Sequence, residues 1–276
     1  MEAKKRWYRK WDLDVPEEHV LAVVENWAKP ERFPEYSVSR MGGPYTPADS
    51  ADLLGKILHF RGEGQSFVFE FFPDNRIVFT DRDGTAHDCL GNVKTMNGEV
   101  YFVNHLVYGY PCGRQISLVA DLKTGCATLV DAHFGTPNSN IDVGREFIFG
   151  TLEGLYQGGE LHHFTDELVG TAIEWCYNPG QMKIKHSYVS NAYYTYGAAT
   201  RQGGWMATNP ADYVKVRDNL FIFSFVEERQ AGLQALFLID TVKLHDVGSF
   251  FGIHDDHLSS ACVGGLGTKA ELTTLF

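Results

Sequence analysis

The chain is short of paired cysteine, and what cysteine it has stands apart. Cys89, Cys112, Cys126, Cys176 and Cys262 are odd in number, widely spaced and include no C-x-x-C pair, so neither a disulfide framework nor a zinc knuckle is indicated. A reducing cytoplasm is the expected location. Apolar runs are short as well: the longest, such as residues 233–240, are strand-sized, far below the ~20 residues of a membrane span. Basic charge is in deficit, with 24 Lys and Arg against 35 Asp and Glu, a formal net charge of −11. That balance argues against nucleic acid, whose phosphates need a basic surface. No G-x-S-x-G elbow, Walker loop or G-x-G-x-x-G fingerprint occurs, which removes the motif-based case for a serine hydrolase, a nucleotide hydrolase or a nicotinamide enzyme. The basic first residues run into Asp12, Asp14, Glu17 and Glu18 instead of an apolar segment, so no signal peptide is expected.

What is present is an ordinary globular composition, 44% hydrophobic, in a chain long enough to bury most of its extended surface. Residues 15–29 place Pro16 and acids in the first turn and space Val20, Val23, Val24 and Trp27 at helical intervals, predicting an amphipathic N-terminal helix. A Pro- and Gly-rich lead-in follows to residue 53. Beyond it come short β-branched and aromatic runs at 57–60, 67–72, 77–80, 100–107, 116–122 and 126–130, separated by turn residues such as Pro73-Asp74-Asn75 and Lys123-Thr124-Gly125. Consecutive antiparallel hairpins are expected. Val143, Phe147, Phe149, Leu152 and Leu155 approximate a helical stripe ended by Gly158-Gly159, predicting a helical linker over 140–167.

The second half repeats the first. Leu54-Gly-Lys-Ile-Leu-His-Phe60 lies over Val169-Gly-Thr-Ala-Ile-Glu-Trp175 at an offset of 115, residues 69–75 over 185–191 at 116, residues 100–103 over 220–223 at 120, and Asp121-Leu122 over Asp240-Thr241 at 119. Four elements in one order indicate a duplicated β unit. Such sheets close most readily as barrels, which abolish exposed edges and leave an interior for side chains or one small ligand. The expected organisation is mainly β: residues 1–53 as helix and lead-in, 54–139 as a first barrel, 140–167 as the helical linker and 168–276 as a second barrel.

Residues 219–228, 236–240 and His186-Ser-Tyr-Val-Ser-Asn-Ala-Tyr-Tyr-Thr195 resemble the C-terminal half of the MoaF family, molybdenum cofactor biosynthesis protein F. Val100-Tyr-Phe-Val103, residues 117–122 and Ala127-Thr-Leu-Val130 look like its N-terminal half. The resemblance implies tandem lipocalin-like or calycin-like antiparallel barrels and leaves the activity open.

Candidate chemistry follows from the alternation of strand faces. Met182, Ile184, His186 and Tyr188 share one face, and Phe221, Phe223, Phe225 and Glu227 share another, so a histidine and a glutamate are offered to one apolar interior. An imidazole titrating near neutrality beside a desolvated carboxylate suits proton transfer; a buried ion pair that merely orders the barrel is the alternative. In the first repeat Glu70 is matched to His186, with Tyr101 and His105 as polar partners, unless Glu70 faces water. Tyr177, Tyr188, Tyr193, Tyr194, Tyr196 and Trp205 crowd aromatics into about thirty residues, where they could stack a flat ligand or simply pack the barrel. His254-Asp-Asp-His257 has metal-ligand types but too few of them for a zinc site.

The candidate catalytic set is therefore His186, Glu227, Tyr188, Glu70 and His105, and the candidate substrate-binding set Tyr101, Tyr177, Tyr194, Trp205, Phe223 and Phe225. No cofactor and no metal are called for. The expected partner is a small hydrophobic or aromatic molecule, acted on by a cofactor-independent cyclase, isomerase or lyase or else carried or sensed without catalysis. Self-pairing as a homodimer is left open.

Overall fold

The computed structural model of the chain describes residues 6–8, 43–107, 113–134, 143–180, 182–200, 203–227, 233–254 and 257–273. After β1 (Arg6–Tyr8), eight strands form the first barrel: β2 (Ile57–Gly62), β3 (Gln65–Phe71), β4 (Arg76–Thr80), β5 (Ala86–Thr95), β6 (Val100–Leu106), β7 (Arg114–Asp121), β8 (Cys126–Phe134) and β9 (Val143–Leu152). Each pairs antiparallel with the next, and β9 closes on β2 with Leu152 opposite Phe60. The short β10 (His163–Phe164) leads to a second set: β11 (Ala172–Asn178), β12 (Met182–Tyr188), β13 (Tyr193–Thr200), β14 (Gly203–Arg217), β15 (Leu220–Glu227), β16 (Leu233–Asp240), β17 (His245–His254) and β18 (His257–Ala270). These run up and down in the same order and close through β11 and β18. Strand β1 adds parallel to β14, and β10 adds antiparallel at its far end.

Local chemistry sets the hairpins. At the β3–β4 turn, Asp74 and Asn75 both take positive φ, 61° and 59°, the combination that matches the twist of two-residue hairpins. Phe67, Phe69 and Phe71 of β3 then point into barrel one, and Phe221, Phe223 and Phe225 of β15 into barrel two. On several strands the outer face is apolar too. Val100, Phe102, Val119 and Val130 of barrel one pack with Val214, Val216, Leu220, Ile222, Leu236 and Leu238 of barrel two in a third core between the barrels. Burial on both faces explains why β6, β7, β15 and β16 read as unbroken apolar runs and not as alternating ones. Polar side chains meet across this seam: Asn104 Nδ2 donates to Ser260 Oγ at 2.7 Å and Gln115 Nε2 to Ser249 Oγ at 3.2 Å. At its edge the Arg217 guanidinium bridges Asp121 and Glu99.

Two expectations are corrected. Residues 143–152 are not a linker helix but β9, the last stave of barrel one. Ile148 and Leu152 face the interior, while Phe147 and Phe149 face outward onto Phe164 at ring-centroid distances of 5.4 and 5.1 Å. Apolar residues on two faces of one strand had summed to a false helical period. The duplication holds strand for strand, but its register at β3 shifts by one residue. Leu58 pairs with Phe69, and the matching Ile173 pairs with His186, so His186 corresponds to Phe69 and Glu70 to Ser187. A one-residue slip exchanges the faces of a strand. The N-terminal helix over 15–29 lies outside the described residues, and among the described residues there is no helix.

The seam couples the barrels. Phe102→Ala, which empties its centre, should destabilise the protein by about 3–5 kcal/mol in urea titrations, with the loss shared by both barrels in a single transition. Two separate transitions in the wild type would refute that coupling.

Candidate functional site

Barrel two holds a cavity of about 270 Å³, open to solvent at its mouth and walled by Tyr177, Ile184, His186, Tyr194, Tyr196, Trp205, Phe225, Glu227, Leu233 and Phe250. Six of the candidate catalytic and substrate-binding residues, His186, Glu227, Tyr177, Tyr194, Trp205 and Phe225, line this one space. His186 comes from β12, where alternation with Ile184 and Tyr188 turns it inward. Its ring lies edge-on to Tyr194 at 5.2 Å and against Phe223 at 5.4 Å and Phe225 at 6.3 Å. Phe223 and Tyr188, both fully buried, form the layer behind, their rings 5.3 Å apart. Glu227 ends β15 at the half-buried rim.

The electrostatics differ from the sequence expectation of an imidazole titrating near neutrality. Burial pushes the His186 pKa down to about 3, because nothing in the apolar wall supports a charged ring. The side chain is therefore neutral at pH 7, and its buried Nδ1 has no hydrogen-bond partner. Burial also raises the Tyr188 phenol, and burial followed by the nearby Glu227 charge raises Tyr194. Both stay protonated. His186, Tyr188 and Tyr194 are thus all held in their uncharged forms.

Residues 162–273 match the family model of the MoaF C-terminal domain. The match spans the second barrel and leaves the first uncovered. No curated protein matches the chain by sequence.

Barrel one, on the same frame as barrel two, is filled differently. His105 lies inside it, its ring 5.0 Å from Phe79 and 6.0 Å from Phe69, with Nδ1 3.3 Å from the Leu106 carbonyl and Nε2 without a partner. Burial lowers its pKa to about 3. The strand pairings match His105 to Phe225 and Phe69 to His186, so each barrel sets one imidazole against one phenyl ring with the two contributing strands exchanged. Tyr101 sits four residues away on β6, roughly 13 Å along the strand. Its hydroxyl donates to Asp52 at 2.9 Å, and burial together with that carboxylate pushes its pKa up to about 12. Glu70 lies half-buried on the outer face of β3, between Ile57 and Val78. The structure therefore does not bring Glu70, Tyr101 and His105 together.

One end of barrel one is sealed by ions. Arg114 holds Asp131 with two hydrogen bonds, of 2.8 and 2.6 Å, and also grips Asp81. Arg82 ties Asp131 at 2.9 Å to Glu146 at 3.0 Å. In barrel two the positions of Arg114, Asp131 and Glu146 are taken by Leu233, Phe250 and Ala261. Leu233 and Phe250 wall the cavity. Removal of a charged plug from the same frame leaves the space that a ligand could fill.

Sequence reading missed Asp246, a 1%-exposed carboxyl inside the second barrel whose partners are the Tyr177 hydroxyl and the Gly265 amide. Its signal was the alternation of Asp246, Gly248 and Phe250 along β17, obscured by the small residues Gly248 and Ser249. Among the described residues no three His, Cys, Asp or Glu stand together as a metal site. The side chains of His254 and His257 lie outside the described ones.

Three buried histidines make the stability of the fold fall with acid. The pKa of His105 falls to about 3, of His162 to about 4 and of His186 to about 3, each chiefly through burial, against 6.5 for a free histidine. Below pH 6.5 the unfolded chain takes up protons that the folded chain refuses, so their contribution is present above pH 6.5 and is lost as pH falls. Each histidine contributes a slope of up to about 1.4 kcal/mol per pH unit. Urea unfolding between pH 6.5 and 4.5 should show His186→Gln losing stability less steeply than the wild type, by up to one such slope. Equal slopes would show that His186 is protonated in the fold.

Proposed function

We propose that barrel two binds a small, uncharged, apolar or aromatic molecule carrying a polar group, and that His186 receives that group. The observation that carries this reading is the unpartnered Nδ1 of His186 in the wall of an aromatic cavity. A buried polar atom without a partner costs free energy, and a ligand recovers that cost if the ring turns to bring Nδ1, itself shut off in the wall, onto the cavity. No cationic side chain is among the described lining residues, so an anionic ligand finds no counter-charge. The volume suits one or two fused rings and is below that of most drug-sized sites.

Within this binding reading, the chemistry we favour is a cofactor-independent cyclisation, isomerisation or elimination helped by shape and acid–base contacts. A neutral imidazole in a dry wall can donate to an oxygen that gains negative charge or accept a proton in passing, and Tyr188 and Glu227 are the further acid–base candidates. A non-catalytic carrier is the second reading. It is favoured by the depressed proton affinity of His186, which makes the ring a weak base at pH 7.

Fluorescence titration with 2-naphthol and with 2-naphthoate tests the binding step. Naphthol should bind and naphthoate should not, and Leu233→Trp, which fills the cavity, should abolish naphthol binding. Preference for the anion, or binding indifferent to Leu233→Trp, would move the site elsewhere. For any compound that is turned over, His186→Gln should lower kcat by about 100-fold or more while affinity changes only a few-fold. A carrier would show the small affinity change and no turnover.

A further inference from the structure

Asp246 is a costly residue in a place where the fold does without one. It lies on β17 inside the second barrel, with Gly265 N–H donating to Oδ1 at 2.6 Å and the Tyr177 hydroxyl donating to Oδ2 at 2.8 Å. Among the described residues no cation offsets its burial, which raises its pKa to about 8. Tyr177 belongs to β11 and Asp246 to β17, with β18 between them. They meet because Gly265, the inward residue of β18 at this level, has no side chain: a Cβ there would stand 2.9 Å from Tyr177 Cε1 and 3.1 Å from Asp246 Oδ1. In barrel one the same three positions are Gly62, Gly150 and Ala127, and that barrel closes with no polar side chain at these positions. The acid–phenol pair is therefore an addition to the shared frame, made where one member, Tyr177, lines the cavity.

Tyr177 needs such an anchor. It stands near the end of β11, beside a register irregularity between Cys176 and Asn178, with Phe237 packed 6.0 Å from its ring. Without that bond the phenol is held only by packing against Phe237 and the Gly265 backbone, and ordering it further on ligand binding would cost affinity. We propose that Asp246 is a positioning residue of the ligand site: through its hydrogen bond across Gly265 it fixes the Tyr177 ring as a wall of the cavity that His186 also lines. This inference rests on the reading that the cavity binds a small uncharged aromatic molecule.

The test uses the full chain and 2-naphthol as the probe. Asp246→Ala and Tyr177→Phe should each weaken naphthol binding about 3- to 10-fold, the range expected for ordering one rotamer-rich side chain. The double variant should bind no more weakly than either single one, because both remove the same hydrogen bond. Asp246→Asn should bind within about twofold of the wild type: Gly265 N–H holds the amide oxygen in the Oδ1 place, and the amide nitrogen then donates to the Tyr177 oxygen. Asp246→Ala leaves the Gly265 N–H and the Tyr177 hydroxyl unpaired, so it should lower the urea midpoint at pH 7 more than Tyr177→Phe does, while the two variants lose affinity alike. Additive losses, or affinity that falls only in step with stability, would overturn the proposal in favour of a merely structural role. Should Asp246→Ala not fold, Tyr177→Phe decides, and wild-type affinity in that variant refutes the inference. Wild-type affinity in Asp246→Ala, with Leu233→Trp still abolishing binding, would sink the role of Asp246 and leave the ligand reading standing. No naphthol binding by the wild type would sink both.

Discussion

The apolar seam between the barrels is the interaction on which the rest depends. Phe102 and Val119 on one side and Ile222 and Leu236 on the other are outward-facing residues of their own sheets, and each barrel buries them against its neighbour. Cohesion of the pair thus draws on outer faces and makes no demand on either interior. A barrel whose outside is anchored in this way can tolerate an incompletely filled inside, since a void costs only the dispersion attraction that its lining atoms forgo. That freedom is visible in the second barrel, where a cavity persists beside fully buried rings such as Phe223 and Tyr213.

The two interiors show what duplication allows. Both carry an imidazole against a phenyl ring, His105 with Phe69 in one and His186 with Phe225 in the other. Around that common motif the polar residues are placed at opposite levels. Barrel one puts charge at its end, as the Arg114, Asp131 and Glu146 network, and has only Gly62, Gly150 and Ala127 at the level where barrel two carries Tyr177, Gly265 and Asp246. A network of fully paired ions is a tolerable plug because every charge is answered. An acid with no cation is tolerable only when it stays largely protonated, and Asp246 is pushed toward that state.

Much of this was legible in the sequence, and what was not has definite causes. Hairpin turns and strand order were readable because Asp74-Asn75 and Gly125 mark turns by their own backbone preferences. The cluster of His186, Tyr194, Phe225 and Glu227 was readable because each sits in phase with apolar neighbours. The eighth stave of barrel one was missed because Phe147 and Phe149 pack outward on Phe164, which destroys the two-residue period. Glu70 was matched to His186 because pairing register is a long-range property: the offset had to grow by two residues between Leu58 and Phe69, and nothing local to β3 records that. Asp246 was hidden because its meaning depends on a glycine in the next strand and on a tyrosine 69 residues earlier.

The electrostatic character of the cavity constrains any chemistry done there. His186 is held unprotonated, Tyr188 and Tyr194 protonated, and the carboxyl of Asp246 largely neutral at pH 7, each through burial. An interior that disfavours charge on its own groups disfavours it equally on a guest, except where a hydrogen-bond dipole points at the charge. A reaction through a fully ionic intermediate would therefore be poorly supported. Concerted proton shifts and ring closures, in which charge is spread and short-lived, are the processes such a wall can assist, and they gain most from a rigid shape. Rigidity is what the stacked rings behind the cavity supply, with Tyr213 and Phe223 nearly parallel at 5.7 Å and Phe223 held 4.8 Å from Tyr194.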